Sequence, residues 1–327
     1  MCSINLSKIN IIPLIFKKIF NFALMIIPRV IVRSLMRLLA LLPLRVHYAF
    51  GSVLSWLAEK VIRYRVADVM VNLGRSFPEK DYSELKAIRH SFYRHFGRIL
   101  AETVWFGGSS ARRLHRQHIV EFEGLDELTR LYESSPSVMV LMSHSGNWEL
   151  YGGFASYNYT GKPMLFDNGN VCIVYLQQSS KMWDEIMRRN RLAPMTEPFE
   201  GYLESRRILR YAIEHKAEKK VYNFITDQYP YFAKKDPLHV RFMNQDTVTM
   251  TGAADLARKL GMSVCFLSTL EQERGSYRFR YIPICDNASE LSSEEIMSRY
   301  YALLGEDIRK QPWNYLWTHR RWKIVNQ

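Results

Sequence analysis

The feature that most constrains the fold is an apolar run, residues 137–142, that stops abruptly at a polar turn. Its sequence, Ser-Val-Met-Val-Leu-Met, has the length and continuous apolar character of a strand buried on both faces. The next seven residues, Ser-His-Ser-Gly-Asn-Trp-Glu (143–149), are turn and helix N-cap types, so we expect the strand to feed a helix. His144 then lies at the carboxyl end of the strand, where open α/β sheets bind their ligands.

Glu149 follows His144 by five residues and falls in the first turn of the predicted helix. A carboxylate at that place can hydrogen-bond an imidazole, and the two together can serve as a base and its orienter in acyl transfer. The opposite interpretation is a structural histidine, because a chain with nine histidines easily places one near a glutamate. Spacing alone does not choose between the two.

The rest of the chain alternates strand-like and helix-like segments. Such alternation predicts an α/β fold whose largely parallel sheet is covered by helices on both faces, and a hairpin return at 276–284 makes that sheet mixed. Upstream, apolar residues at helical spacing over 82–106 predict a helix on the core, and a shorter helix ends near Leu73. The predicted strands are 163–166, 171–175, 220–226 and 262–270, and the predicted helices are 179–192, 201–215 and 251–260.

The amino end is basic and apolar. Residues 1–80 hold 12 Lys and Arg against 3 Asp and Glu, so 12 − 3 = +9 of the total net charge of +13 lies there. Apolar runs at 19–28 and 38–44 alternate with these cations, which is typical of helices that lie in a lipid headgroup region. A tilted single span over 38–58 and a helical hairpin covering the core are the alternatives. We therefore divide the chain into a membrane-associating segment, residues 1–60, and a catalytic domain, residues 61–327.

Composition narrows the class of protein further. The four cysteines have neither metal-ligand spacing nor the density of a disulfide framework, so we expect free thiols. The positive charge favours an anionic partner, which can be nucleic acid, a membrane surface or an acidic substrate. A nucleic-acid binder should spread its cations over the folded domain, whereas here most of the excess lies at the amino end.

Two further groups of polar residues are candidates for the site. Asp227 and Gln228 follow the predicted strand 220–226, where they can bind sugar hydroxyls or position His144. The loop after them carries Lys234, Lys235 and Arg241, and is either a basic lid or a solvated loop.

Arginines end the helix predicted at 179–192. Arg188, Arg189 and Arg191 there either complement the helix macrodipole or bind phosphate through their guanidinium groups. These residues alone do not choose between the two; the family resemblance that follows favours the second interpretation for Arg189 and Arg191, as contacts to an anionic headgroup.

Several motifs together resemble the bacterial lipid A late acyltransferase family, which itself resembles the glycerolipid acyltransferases more distantly. The resemblance covers residues 40–323. One departure is Leu176, which stands where the family usually has arginine in a V-Y-R sequence. The matching motifs are N-L-x-x-S-F-P-E at 72–79, H-S-G-N-W-E at 144–149, R-x-R at 189–191, D-Q at 227–228 and P-W-N-Y-L-W-T-H-R-R-W-K at 312–323.

The resemblance implies transfer of a fatty acyl chain from acyl carrier protein or a coenzyme A thioester to a hydroxyl of a lipid A precursor. The reaction would take place at the cytoplasmic face of the cell inner membrane, without a metal or redox cofactor and without nucleic acid. His144 would act as general base and Glu149 as its orienter, while donors near Gly146 and Asn147 stabilise the oxyanion. Acylation of another membrane lipid, and a non-enzymatic binding protein, remain the alternatives.

Overall fold

The structure is a computed structural model that describes residues 30–32, 34–160, 164, 167–195, 199–230, 236–273 and 275–322. The strand predicted at 163–166 falls almost entirely outside these residues, as do Lys234 and Lys235. Within them, Cys172, Cys265 and Cys285 are free thiols, as the sequence predicts.

Ten α-helices and nine strands follow one another along the described part of the chain. The helices are α1 (Val30–Ala40), α2 (Leu44–Trp56), α3 (Val66–Ser76), α4 (Tyr82–Phe106), α5 (Ala111–Gln117), α6 (Leu125–Ser134), α7 (Lys181–Arg191), α8 (Ile208–Glu214), α9 (Gly252–Lys259) and α10 (Ser293–Lys310). The strands are β1 (Val120–Glu123), β2 (Val138–Met142), β3 (Val171–Tyr175), β4 (Tyr202–Glu204), β5 (Val221–Ile225), β6 (His239–Phe242), β7 (Gln245–Val248), β8 (Ser263–Glu271) and β9 (Tyr277–Cys285).

Seven strands form one sheet in the order β1-β9-β8-β2-β5-β3-β4. Strands β8 and β9 pair antiparallel and the other neighbours pair parallel, so the predicted mixed, largely parallel α/β sheet is confirmed. Strand β2 lies in its middle and is buried throughout, with alternate residues packing into two different apolar clusters. Helices therefore cover both faces, and the carboxyl end of β2 opens at the centre of the sheet edge.

Two local predictions need correction. The helix predicted at 201–215 begins only at Ile208, because residues 202–204 instead pair with β3 as the edge strand β4. The segment predicted as a loop or lid also contains the hairpin of β6 and β7, on which Arg241 is exposed. Both errors concern three- or four-residue strands, whose pairing partners are distant in sequence.

The amino-terminal helix α2 packs against α4 of the domain. Helix α2 continues as a π-helical turn, Leu57–Val61. Gly51 and Gly97 mark the crossing, since a Cβ at Gly97 would approach the Gly51 carbonyl oxygen to 2.3 Å. In the described part of the chain, no individual helix has the length and composition of a membrane span; α1 and Leu44–Val61 meet that test only as a pair bent by 120°.

The carboxyl-terminal segment after α10 returns to β2. Tyr315 forms an isolated antiparallel bridge with Ser145. The Leu316 N–H donates to the His144 carbonyl oxygen at 3.1 Å, and the Gly146 N–H donates to the Asn314 carbonyl oxygen at the same distance. The aromatic and basic terminal motif therefore braces the turn that carries His144.

Candidate active site

His144 is held between two residues that follow β5. Its Nδ1 lies 2.7 Å from Asp227 Oδ1, and its Nε2 lies 3.1 Å from the Gln228 side-chain nitrogen. The residues meet because β2 and β5 are parallel neighbours, so their carboxyl ends reach the same edge of the sheet. Of the two roles predicted for Asp227, positioning His144 is the one this contact supports.

The charge state of Asp227 sets the tautomer of His144. Burial would raise the Asp227 pKa, but attraction to and hydrogen bonding with His144, together with the positive charge of Arg321, hold that pKa below its ordinary value. An ionised Asp227 only accepts hydrogen bonds, so Nδ1 of His144 must donate. In the neutral imidazole, Nε2 then carries no proton and accepts from the Gln228 amide, so it is the nitrogen that can act as a base.

Glu149 does not take the predicted place beside His144. The 3-10 helix Trp148–Ser156 begins after Asn147 and directs the Glu149 carboxylate to Arg191, at the end of α7. Arg191 Nε lies 2.5 Å from Oε2 and Arg191 Nη2 lies 2.6 Å from Oε1, and the Trp148 indole also donates to Oε1. The prediction of Glu149 as the orienter is therefore corrected: Asp227 contacts the imidazole, and Glu149 forms a second charged pair.

That second pair is largely shielded from water. Burial would lower the Arg191 pKa, but hydrogen bonding and attraction to Glu149 raise it well above its ordinary value. Arg191 Nη1 also donates to the Tyr202 hydroxyl at 2.5 Å. The guanidinium is thus fixed as a permanent cation.

The Gly146 N–H and the Asn147 side chain both bind other groups of the protein. The Gly146 N–H is committed to Asn314, and the Asn147 amide donates to Glu102 Oε2 at 2.9 Å. Gly146 has φ +59°, and an added Cβ would lie 2.4 Å from a Thr269 methyl carbon, so glycine is required there. Both residues shape the turn, and oxyanion donors near Gly146 and Asn147 stay a prediction.

A cavity of about 1230 Å³ opens beside His144. Its wall includes Glu149 and Arg191, and also Gln228, Arg206 and Lys259, whereas Arg189 lies elsewhere, in an exposed ion pair with Glu185. Its apolar lining includes Trp148, Ile173, Leu176, Leu192, Ile208, Leu209, Phe224, Met250 and Leu256. A site of this size with apolar walls and a few charged groups suits an amphiphilic ligand.

The sequence was compared with known proteins. A sequence model of bacterial lipid A biosynthesis acyltransferases matches residues 16–324. The chain belongs to this family. It is also 23% identical over 289 residues to the lipid A biosynthesis palmitoleoyltransferase of Escherichia coli (strain K12) and to the lipid A biosynthesis acyltransferase of Shigella flexneri, with 86% of each chain covered. Membership in this family makes the protein an acyltransferase.

The sequence did not single out Trp148 and Tyr202, which line the cavity, or Glu102, which binds Asn147 behind it. The Trp148 ring lies edge-on to His144, with centroids 4.8 Å apart, and closes one side of the imidazole. The position of this tryptophan within the H-S-G-N-W-E motif could have indicated that it belongs to the site. Tyr202 and Glu102 carried no such signal, because their contacts depend on elements distant in sequence.

His319, the histidine of the 312–323 motif, is unsuited to act as a base. Burial lowers its pKa to about 4, against a weaker opposing effect from Asp227. The backbone around it is fixed by Asn72 of α3, whose amide donates to the Trp317 and His319 carbonyl oxygens. His319 is therefore part of the brace behind the site.

Proposed function

We propose that this acyltransferase moves a fatty acyl chain from a thioester donor to a hydroxyl of a lipid A precursor, with His144 as general base. The observation that supports it most directly is the 2.7 Å contact between His144 Nδ1 and Asp227 beside an apolar cavity. The thioester is already activated, so direct attack by the acceptor hydroxyl needs no acyl-enzyme.

The reaction forms one C–O bond and breaks one C–S bond. His144 Nε2 takes the proton of the acceptor hydroxyl as its oxygen attacks the thioester carbonyl. Asp227 stabilises the imidazolium that forms. When the tetrahedral intermediate collapses, the thiolate leaves and takes up that proton. For Nε2 to act, the acceptor hydroxyl replaces the Gln228 amide as its hydrogen-bond partner.

The anionic acceptor is bound by cations of the cavity wall. Leu176 contributes no charge at the end of β3, but Arg191 brings a guanidinium to the same cavity from α7. Glu149 fixes its direction, while Arg206 and Lys259 add further positive charge. This arrangement supports an acceptor that carries phosphates. Acyl carrier protein and coenzyme A both present the donor thioester that the chemistry requires.

The enzyme works at a membrane surface, which we take to be the cytoplasmic face of the inner membrane. The outward side of α2 is apolar, with Val46, Phe50, Val53 and Leu54 exposed at helical spacing. Apolar residues of α1, including Leu35 and Leu38, are exposed as well. A surface of this kind is stable in contact with lipid, and Arg37 and Arg45 can bind headgroup phosphates.

The test replaces each partner of the catalytic pair. His144→Ala should lower kcat at least about a hundredfold, because general-base catalysis contributes about 10²- to 10⁴-fold. Asp227→Asn should have an effect of similar size, because an amide can accept or donate and no longer enforces the tautomer. Turnover is measured with acyl carrier protein or coenzyme A thioesters and a purified lipid A precursor in detergent micelles.

A second His–Asp pair provides the matched control. His239 Nδ1 lies 2.6 Å from Asp246 Oδ2 on the exposed β6–β7 hairpin. His239→Ala and Asp246→Asn should leave kcat unchanged. If His144→Ala kept more than about a tenth of wild-type turnover, the general-base assignment would be wrong.

A further inference from the structure

Glu102 is a fully buried carboxylate on α4 that the reaction itself does not use. Its Oε1 accepts a hydrogen bond from the Tyr48 hydroxyl at 3.0 Å. Its Oε2 accepts from the Asn147 side-chain amide at 2.9 Å and from the Tyr277 hydroxyl at 2.8 Å. Three separate parts of the chain thus donate to one carboxylate: α2, the turn after β2, and β9.

Asn147 connects the Glu102 carboxylate to residues of the site. It is fully buried, and its side-chain oxygen accepts the Glu149 backbone N–H at 3.2 Å, which begins the 3-10 helix. The Glu149 carboxylate in turn fixes Arg191 on the cavity wall. On the other side, Asn147 is three residues from His144, in the same turn. The Asn147 side chain therefore links Glu102 to the start of the 3-10 helix that carries Glu149, within the turn that also carries His144.

We propose that Glu102 is a positioning residue for acyl transfer, which holds Asn147 and through it the turn that carries His144 and Glu149. It does not touch substrate. The proposal rests on the proposed function, in which this turn carries the base.

A purely packing role would not require a carboxylate at this place. Burying an acidic group is unfavourable unless hydrogen bonds compensate it, and an apolar side chain would fill the same space without that cost. An apolar residue would, however, remove the carboxylate acceptor that the Asn147 amide and the Tyr277 hydroxyl use. The residue type thus follows from the need for an acceptor opposite Asn147.

Two substitutions of similar size separate positioning from packing. Glu102→Leu should lower kcat about tenfold or more and change the KM of either substrate by less than about threefold, because the cavity wall remains while the turn loses its restraint. Glu102→Gln should keep at least half of wild-type kcat. The glutamine oxygen can accept from Asn147 and Tyr277, and its amide can donate to the Tyr48 hydroxyl oxygen.

Asn147→Ala supplies an independent measurement if Glu102→Leu does not fold. It should show the same fall in kcat with nearly constant KM. In the double variant, the loss should be no greater than in the more impaired single variant, because both changes remove one interaction. Wild-type kcat in Asn147→Ala, or equal losses in Glu102→Leu and Glu102→Gln, would overturn the proposal.

Glu59 provides a matched control, since it is another buried carboxylate that packs against α4. Its oxygens bind Arg89 and His90, away from the turn. Glu59→Leu should lower the melting temperature without lowering kcat in detergent. A loss of kcat equal to that of Glu102→Leu would show that general destabilisation explains both.

His144→Ala, assayed in parallel, tests the general base itself. If this variant remains active, the proposed function fails. If it is inactive while Glu102→Leu is fully active, only the positioning role of Glu102 fails.

Discussion

Helix α2 and strand β2 distribute their polar and apolar residues in opposite ways. In β2, every side chain is apolar and buried, and polar residues begin only where the strand ends at Ser143. In α2 and its π-helical extension, Leu44 is buried at the start, and the inward positions that follow are His47, Gly51, Ser55 and Glu59, which are spaced four residues apart. Most of the exposed residues are apolar. Strand β2 buries its apolar side chains, whereas α2 exposes most of its own, which is the distribution that the proposed membrane contact requires.

The two elements are also stabilised by different interactions. Strand β2 is stabilised mainly by removing apolar area from water. Helix α2 packs on α4 by close approach at Gly51 and Gly97 and by individual polar contacts, such as that of the Tyr48 hydroxyl with Glu102. Small residues at a helix crossing and hydrogen bonds across it are the means that membrane helices use, because lipid offers little hydrophobic driving force.

The largest expected effect concerns the outward face of α2. Replacing Phe50 and Leu54 together by Asp should lower partition into vesicles containing anionic lipid by about a thousandfold, since each apolar side chain that inserts contributes about 2 kcal/mol. Vesicle flotation measures this partition. Ile213→Asp is the control, because Ile213 is an exposed apolar residue of α8, in the catalytic domain. Release by Ile213→Asp but not by the double variant would place the lipid contact on α8.

The second largest effect concerns how stability depends on pH through Glu102, the carboxylate that accepts a hydrogen bond from Tyr48 of α2. Burial raises the Glu102 pKa to about 7, against the opposing hydrogen bonds from Asn147, Tyr277 and Tyr48. The folded state therefore binds a proton that the unfolded state releases above about pH 4.5. Stability from this group is present below pH 4.5 and is lost as the pH rises to about 7, a change of about 3 kcal/mol.

Glu102→Gln should remove that dependence, because an amide does not titrate in this range. Denaturant unfolding in detergent at pH 4.5, 6 and 7.5 gives the free energy of unfolding for both proteins. The wild type should lose stability relative to the variant as pH rises. An equal slope in the two proteins would show that the buried carboxyl does not govern this interface.

The smallest effect concerns the helix crossing. Gly97→Ala places a Cβ 2.3 Å from the Gly51 carbonyl oxygen and 2.8 Å from Ser55 Cβ, so the helices must separate, at a cost of about 2 kcal/mol. Gly74→Ala in α3 is the control, as its Cβ would meet only Leu85 Cδ1, at 3.8 Å. That change should stabilise the protein by about 0.5 kcal/mol. Thermal unfolding compares them, and a neutral Gly97→Ala would argue against close helix packing.

Much of the fold could be predicted from the sequence because its signals are local. The apolar run of β2 and the helical spacing of 82–106 each depend on neighbours within one element, and the structure confirms them. Beyond Glu149 it also confirms the strands predicted at 171–175, 220–226 and 262–270 and the helices predicted at 179–192 and 251–260. The short strand β4 was missed because three residues hold no periodic pattern, and only pairing with β3 identifies it.

The candidate site likewise has parts that the sequence predicts and parts that only the tertiary structure shows. His144 could be placed at a strand end from the sequence by itself, because the strand and the following turn are adjacent in the chain. Its partner could not: Asp227 rather than Glu149 contacts the imidazole because β5 is the neighbour of β2 in the sheet. Likewise, only tertiary packing brings Arg191 to Glu149 and Glu102 to Asn147. The sequence determined which groups stand at element ends, and the order of the strands decided which of them meet, since that order depends on contacts between residues far apart in the chain.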